Sequence, residues 1–267
     1  MSQGFLLNLV QQRLDIYCDL KRSELTEISD DLIPIIDYTQ DLLAGGKRFR
    51  ALFAFWAWAG YQVVEVDTTK LSIETPVVSV AAALEMFHAA ALVHDDLLDQ
   101  SDLRRGKPAI HKRFETLHQS SRFAGSAERF GVAGSVLVGD MMLSWSSELF
   151  GDALLHSPGE AIEASCRTEF SKMRFEVMAG QYLDVYEQSL GTQSIERSLK
   201  VARYKSGKYT IERPLHFGGA LAGASGELMQ AYSNYGLPLG EAFQLRDDLL
   251  GVFGDPSETG KPAAIPQ

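Results

Sequence analysis

The sequence predicts an all-α protein, and two patterns support that prediction. Apolar residues recur at intervals of three and four positions along nearly the whole chain of 267 residues, which is the spacing of helix faces. Alternation of apolar and polar residues between turn signals, which is typical of strands, is almost absent. No linker, repeat or low-complexity segment interrupts the pattern. We therefore expect a single-domain antiparallel helical bundle over residues 1–267.

The predicted helices follow one another along the chain. The first covers residues 5–21, and the second follows Asp30 and Asp31, has Pro34 in its first turn and ends near Gly46. An aromatic-rich core helix is expected from about Lys47 to residue 61. A long helix from about residue 75 is rich in Ala, Val and Leu and ends in acidic residues. Further helices are predicted over residues 126–150, 159–188, 194–223 with a kink at Pro214, and 227–252.

Composition excludes several classes of protein. With 45% hydrophobic and 22% charged residues, the chain is neither disordered nor collagen-like. A net charge of −10 argues against nucleic acid and anionic membranes as partners. Cys18 and Cys166 predict two buried thiols rather than a disulfide framework. No cation precedes Arg13, so the basic flank of a secretory signal is missing. The most apolar stretch, residues 51–61, is too short to cross a bilayer, and we therefore expect a cytoplasmic protein without a membrane span.

The strongest chemical signal is a group of aspartates at the end of the long apolar helix. Asp95 and Asp99 are four residues apart, so their carboxylates share one helix face, with Asp96 rotated by one residue. Acidic side chains at a helix C-terminus oppose the helix dipole, which predicts a positive partner there. Carboxylates suit Mg²⁺, which binds one or two of them together with water and phosphate oxygens. A solvated acidic helix end is the alternative for this group taken alone.

A second acidic pair and two basic runs extend this signal. Asp247 and Asp248 end another apolar helix, and two acidic helix ends in one bundle could hold several Mg²⁺ ions around a diphosphate. Arg104 and Arg105 follow the first group and suit bidentate phosphate contacts. Residues 45–50 place two glycines and three cations at a predicted helix N-terminus, itself an anion site. Each basic run alone is more often a solvated surface, but together they predict one metal-mediated and one purely basic diphosphate site.

These motifs resemble those of the trans-isoprenyl diphosphate synthases of the polyprenyl synthetase family. The resemblance extends from Gly45 to Pro262 and rests on seven motifs in the family's order: GGKRFR at 45–50, Glu85 with His88, DDLLD at 95–99, RRGKP at 104–108, GQYLD at 180–184, Lys205-Ser206, and FQLRDD at 243–248 with GKP at 260–262.

The resemblance implies the isoprenoid synthase fold, with helices around a central cavity, in a homodimer. It also implies a head-to-tail condensation in which an allylic diphosphate ionises while three Mg²⁺ ions hold its diphosphate. C4 of isopentenyl diphosphate then attacks the allylic cation, and a proton is lost. The partners implied are therefore isopentenyl and allylic diphosphates.

Individual roles follow from the same resemblance. It implies metal ligation by Asp95, Asp99 and Asp247, with support from Asp96, Asp248, Gln181 and Asp184. It places Arg104, Lys205 and Lys261 on the allylic diphosphate, and the oxygens of Ser206 and Gln244 beside the developing cation. The resemblance places the site for isopentenyl diphosphate at Gly46, Lys47, Arg50, His88 and Arg105.

Product length depends on the residues that precede the first aspartate. In the family's short-chain members, bulky aromatics four or five residues before that aspartate close the elongation path, whereas this sequence has Ala91 and Ala90 there. The path is therefore expected to stay open for another helical turn of about 5.4 Å, comparable to one isoprene unit. Phe87 is the candidate floor. We expect mainly geranylgeranyl diphosphate (C20), with longer products as the alternative.

Two departures from the family leave other functions open. Gly251 stands where many relatives have a third aspartate in the second cluster, and relatives continue past the GKP segment with further helices. A terpene cyclase on the same fold is one alternative, although retention of Lys47, Arg50, His88 and Arg105 argues against it. A weakly active subunit of a heteromeric synthase is the other.

Overall fold

Helices dominate the computed structural model, which describes residues 3–61, 70–155, 159–191 and 194–254. In chain order the α-helices are α1 Gln3–Ile28, α2 Ile33–Leu43, α3 Phe49–Gly60, α4 Pro76–Leu98, α5 Ile110–Ser120, α6 Ala127–Leu155, α7 Glu160–Leu190, α8 Ile195–Val201, α9 Arg213–Ala222 and α10 Gly226–Phe253. A 3-10 turn at Asp30–Leu32, a π-helical segment at Ala202–Glu212 (the π segment), and an antiparallel hairpin of β1 Leu103–Arg104 and β2 Lys107–Pro108 accompany them. The predicted all-α class is confirmed.

The chain forms two compact units. The first comprises residues 1–15, 45–85 and 147–246, and the second comprises residues 16–44, 86–146 and 247–267. The prediction of one functional domain over the whole chain stays a prediction.

The first unit is built around close contacts between α3 and α9. Gly218 of α9 lies so near α3 that an added Cβ would be 2.0 Å from the carbonyl oxygen of Ala54, so only glycine allows this approach. Phe150 and Phe170 stack with ring centroids 4.2 Å apart, and the Tyr232 hydroxyl donates to the carbonyl oxygen of Ala57 at 3.0 Å. These contacts join α3 to α9 and α10, and α6 to α7.

A buried ionic network also joins helices of the first unit. Arg213 at the start of α9 donates to Glu169 at 2.8 Å and to both carboxylate oxygens of Glu176 at 2.7 Å, and both acceptors are on α7. His216 lies 3.2 Å from Glu169 and 2.9 Å from the hydroxyl of Ser233 on α10. Burial alone would raise the pKa of Glu169, but hydrogen bonds from His216 and Lys172 and the charges of His216 and Arg213 lower it to about 2.

In the second unit, α5 packs against both α2 and α6. The Phe114 ring lies edge-on to Tyr38 of α2, with centroids 5.1 Å apart, and 6.1 Å from Phe130 of α6. Arg113 donates to Asp41 at 2.8 Å and covers the Tyr38 ring at 3.8 Å. These contacts fix the loop that precedes α5, which carries the β-hairpin.

The observed elements differ from the predicted ones in several places. Helices α1 and α6 extend to Ile28 and Leu155, beyond their predicted ends at residues 21 and 150. Helix α5 and the hairpin were not expected. The single kinked helix predicted over residues 194–223 is instead α8, the π segment and α9, and Pro214 lies in the first turn of α9, directly after the π segment. The predicted position of Pro34 in the first turn of α2 is confirmed.

The interpretation of residues 51–61 as the most apolar stretch was wrong. Helix α4 is longer, and its length and composition would allow it to cross a membrane, but 78% of its most apolar window is buried within the protein. A buried apolar helix of this kind is typical of the core of a soluble protein. Cys18 and Cys166 are both buried thiols, as predicted, and burial raises the pKa of Cys166 to about 12.

Candidate functional site

The end of α4 brings its aspartates together with a guanidinium from the hairpin. Arg104 Nε donates to the two carboxylate oxygens of Asp96 at 2.9 and 3.0 Å, and Arg104 Nη2 lies 3.4 Å from Asp95 Oδ2. The Asp96 side chain is only 4% exposed, whereas Asp95 is 20% exposed and Asp99 is on the surface. The Asp99 N–H donates to the carbonyl of Asp95 at 2.8 Å, so helical spacing persists through Asp99 and both carboxylates remain on one face.

Arg104 is the positive partner that the acidic helix end requires. Burial alone would lower its pKa, but the hydrogen bond to Asp96 and the charges of Asp96, Asp95 and Asp99 raise it. The guanidinium is therefore charged at every pH at which the protein is folded. The positive charge offsets the unfavourable position of three carboxylates at the negative end of the helix dipole.

The hairpin separates the two consecutive arginines. Arg104 pairs with Lys107 across the strands, and the turn residues Arg105 and Gly106 have φ of 52° and 75°. Positive φ at both central residues is characteristic of a type I′ turn. Arg104 consequently contacts the aspartates, while Arg105 extends to the carbonyl oxygen of Leu42 at 3.4 Å.

A cavity of about 200 Å³ lies beside this hairpin within the second unit. Four cations and two carboxylates contribute to its wall, namely Arg104, Arg105, Lys107, Arg113, Asp41 and Asp96. The start of α5, at Ala109 and Ile110, also lines it. Backbone N–H groups at a helix N-terminus and several guanidiniums both favour an anionic occupant.

His94 contacts α6 rather than the neighbouring aspartates. Its Nε2 lies 3.6 Å from Asp140 Oδ1 and 3.4 Å from the carbonyl oxygen of Val136. Gly139 makes room for the ring, because an added Cβ there would be 2.1 Å from Nε2. The imidazole thus braces the end of α4 against α6.

In the first unit, Lys205 and Asp184 form an ion pair of 2.6 Å between the π segment and α7. Gly180, one helical turn before Asp184, lies against the backbone of Lys205, where an added Cβ would be 2.3 Å from its amide nitrogen. The Nε2 of Gln181 is buried and has no hydrogen-bond partner among the described residues. The sequence motif at residues 180–184 therefore packs on Lys205 and offers it a carboxylate.

The basic segment before α3 divides into inward and outward cations. Gly45 and Gly46 have φ of 98° and 97°, which favour glycine, and Lys47 is exposed, 5.9 Å above the Phe49 ring. Arg48 is buried and donates to Gln11 of α1. Arg50 in the first turn of α3 contacts the π segment, an arrangement that the sequence did not indicate.

The other predicted site residues are located as follows. His88, Ser206 and Gln244 are half-buried, Asp247 and Asp248 are exposed near the end of α10, Phe87 and Ala90 are buried in α4, and Ala91 is half-buried. Lys261 lies outside the described residues.

The carboxylates at the end of α4 suit a metal ion that takes only one or two protein ligands. Within residues 3–61, 70–155, 159–191 and 194–254, no group of three His, Cys, Asp or Glu side chains is close enough to hold a metal ion by itself. Mg²⁺ does not require such a cage, because it binds one or two carboxylates and keeps water or phosphate oxygens in its other positions. Asp95 and Asp99, one helical turn apart, are an oxygen donor set of this kind.

Comparison with known proteins identifies the family. The sequence profile of the polyprenyl synthetase family matches residues 34–265, and the chain belongs to that family. A crystal structure of geranylgeranyl pyrophosphate synthase from Corynebacterium glutamicum, complexed with isoprenyl diphosphate and magnesium, is similar at 39% identity and a TM-score of 0.90, over 98% of this chain and 72% of that one. Farnesyl diphosphate synthase of Geobacillus stearothermophilus is 30% identical over 85% of this chain and 68% of its own length.

Relatives with other products are also similar. Geranylfarnesyl diphosphate synthase of Aeropyrum pernix is 29% identical over 82% of this chain. The chain spans only about three fifths of several curated relatives that it matches, including 61% of the Aeropyrum pernix protein and 60% of its namesake from Natronomonas pharaonis.

Proposed function

We propose that the chain is a Mg²⁺-dependent trans-prenyltransferase that condenses isopentenyl diphosphate head-to-tail with an allylic diphosphate. The observation that carries the proposal is the end of α4, where Asp95 and Asp99 share one face and Arg104 is held beside them on Asp96. Carboxylates for a hard cation and a fixed guanidinium are the two elements that bind a diphosphate and accept its growing charge. The similar Corynebacterium glutamicum enzyme, complexed with isoprenyl diphosphate and magnesium, supports this interpretation.

In this proposal Asp95, Asp99 and Asp247 bind the metal ions, three per active site, and Asp96, Asp248, Gln181 and Asp184 assist. Bound Mg²⁺ supplies charge neutralisation for the departing diphosphate. The buried Nε2 of Gln181, without a partner among the described residues, is a donor that can serve a water or an oxygen of the substrate.

Cations of the chain bind the two diphosphates. Arg104, Lys205 and Lys261 hold the allylic diphosphate, and the Asp184 carboxylate orients the Lys205 ammonium through their 2.6 Å contact. Ser206 and Gln244 direct oxygen dipoles at the carbon that becomes cationic, where a preorganised dipole stabilises charge without reorganising. Gly46, Lys47, Arg50, His88 and Arg105 bind isopentenyl diphosphate.

The proposed main product is geranylgeranyl diphosphate. Ala90 and Ala91 leave space on α4 before the first aspartate, and Phe87, which is 1% exposed, closes that face one turn further on. We also propose a homodimer in the cytoplasm. Exposed apolar residues of α6, including Val132, Val136 and Leu137, offer a surface for the second copy, and light scattering of the purified protein measures its mass.

The test is an assay of the purified protein with Mg²⁺, labelled isopentenyl diphosphate and each of the C5, C10 and C15 allylic diphosphates. Labelled prenyl diphosphate, mainly C20, is the expected product. Cyclic hydrocarbon without label would instead indicate a terpene cyclase, and turnover only after a partner is added would indicate a subunit of a heteromeric synthase.

Two matched variants test the metal-binding carboxylates. Asp95→Ala should lower turnover about a thousandfold or more, because it removes a metal ligand at the site of developing charge. Asp102→Ala removes a carboxylate from the same stretch of chain. That side chain is 73% exposed and forms a surface ion pair with Lys112 at 3.5 Å, which contributes little, so activity should change less than about twofold. Equal activities of the two variants would contradict the assignment.

A further inference from the structure

The surroundings of Arg50 contain two side chains that the proposed function does not use. The guanidinium carbon of Arg50 lies 4.0 Å from the centroid of the Tyr209 ring, and its Nη2 donates to the Thr210 hydroxyl at 2.9 Å. Tyr209 and Thr210 are adjacent in the π segment and are 5% and 3% exposed. A ring under the guanidinium plane and a hydroxyl at one edge fix both its tilt and its rotation.

These contacts leave hydrogen-bonding capacity on Arg50. Its Nε is buried and has no hydrogen-bond partner among the described residues. A guanidinium has five N–H donors, and a buried donor without an acceptor is costly. Tyr209 and Thr210 therefore hold Arg50 in an orientation that an anionic acceptor completes.

The same segment carries Lys205. In a π-helix, hydrogen bonds join residues five apart, so Lys205 and Thr210 lie one turn apart on the same face. Glycines fix this segment on two sides, since a Cβ on Gly180 would meet the Lys205 backbone at 2.3 Å and one on Gly240 would meet the Gly207 carbonyl oxygen at 2.2 Å. The position of the π segment thus determines the position of Lys205 directly, and the orientation of Arg50 through Tyr209 and Thr210.

We infer that Tyr209 and Thr210 are positioning residues that set the affinity for isopentenyl diphosphate by orienting Arg50. The inference rests on the proposed function, because it takes Arg50 to be a diphosphate ligand. The alternative is that Tyr209 only fills space in the core, in which case the loss of its ring changes stability but not the recognition of one substrate.

Tyr209→Leu and Tyr209→Phe are a matched pair for this test. The phenylalanine variant keeps the ring beneath Arg50, whereas leucine keeps an apolar side chain without it. Tyr209→Leu should raise the KM for isopentenyl diphosphate about three- to tenfold, with the KM for the allylic diphosphate and kcat within about twofold of wild type. Tyr209→Phe should keep the KM for isopentenyl diphosphate at the wild-type value. Thr210→Val should raise the same KM, and Thr210→Ser, which keeps the hydroxyl, should not.

Equilibrium dialysis with labelled isopentenyl diphosphate separates this inference from the proposed function. If the wild-type protein binds the label without turning it over, the proposed activity fails, and weaker binding by Tyr209→Leu than by Tyr209→Phe still supports the inference. Equal binding by these two variants, or equal increases in both KM values, would overturn it. Absence of binding by the wild-type protein would overturn both. Circular dichroism verifies that each variant is folded.

Discussion

Replacing Gly240 with alanine tests how closely α10 packs on the π segment. Alanine inside a helix is favoured over glycine by up to about 1 kcal/mol, so helix propensity alone predicts a gain in stability. The added Cβ, however, would lie 2.2 Å from the carbonyl oxygen of Gly207 and 2.7 and 2.9 Å from its carbonyl carbon and Cα. These are backbone atoms, which cannot rotate away, and overpacking of this kind costs about 1–3 kcal/mol. We expect Gly240→Ala to be less stable than the wild type by about 1–2 kcal/mol.

Gly251→Ala is the control in the same helix. Apart from the neighbouring residues and backbone of its own helix, no atom of the described residues lies within 4 Å of an added Cβ at Gly251. Only helix propensity is therefore expected to act, and the variant should be up to about 1 kcal/mol more stable than the wild type. Urea denaturation followed by circular dichroism measures both free energies of unfolding. Gly240→Ala should also lower the proposed prenyltransferase activity under conditions where the variant is fully folded, because Gly207 directly follows Ser206 and Lys205 in the segment that the new Cβ would displace.

The opposite signs of the two effects make the test decisive. A Gly240→Ala variant as stable as Gly251→Ala would show that α10 and the π segment are not in backbone contact. Loss of stability in both variants would point to a general intolerance of α10 to alanine and would equally refute the reasoning.

Two further predictions concern acid stability and product length. Because the pKa of Glu169 falls from 4.5 to about 2 on folding, its stabilisation is fully present above the unfolded value and is lost as pH falls towards the folded one. Urea denaturation should show that ionised Glu169 adds about 3 kcal/mol to the free energy of unfolding at neutral pH and about 2 kcal/mol less than that near pH 3. The Glu169→Gln variant should lack this pH dependence. Parallel pH profiles of the wild type and the variant would contradict the prediction. Phe87→Ala should shift the product distribution beyond C20, as measured by product chromatography. Phe55→Ala, which truncates an equally buried phenylalanine of α3, should destabilise the protein without changing product length, and an unchanged distribution for Phe87→Ala would remove Phe87 as the floor.

The helices that were predicted correctly have strong apolar periodicity or clear end signals. Helix α4 combines an unbroken apolar stretch with an acidic end, and α2 has Pro34 at its start. Helix α5 was missed because two of the four residues of its buried face are histidines, which break the apolar pattern on which the prediction depends; that face consists of Ile110, His111, Phe114 and His118. His118 is nevertheless buried, and its Nε2 lies 3.2 Å from the carbonyl oxygen of Ala124.

The π segment could not be predicted because its cause is tertiary. Its residues have no local signal that separates a π-helical turn from an α-helical one, and the sequence favoured an ordinary helix with a kink at Pro214. Gly180 on α7 and Gly240 on α10 allow the wider turn to approach both helices, and they lie far from it in sequence. The motifs at residues 180–184 and 205–206 were visible, but the contacts of Arg50 with Tyr209 and Thr210 were not.

The pairing of Arg104 with Asp96 gives a physical reason to propose different roles for the adjacent aspartates at the end of α4. Both carboxylate oxygens of Asp96 accept from Arg104, and the side chain is only 4% exposed. Removing one partner from a buried ion pair costs about 3–5 kcal/mol. A diphosphate is therefore expected to bind the remaining N–H donors of Arg104 while the guanidinium stays paired with Asp96. Asp95 and Asp99 keep their shared face and greater exposure. The arrangement therefore favours Asp95 and Asp99 as metal ligands, and Asp96 as the residue that holds Arg104 beside them.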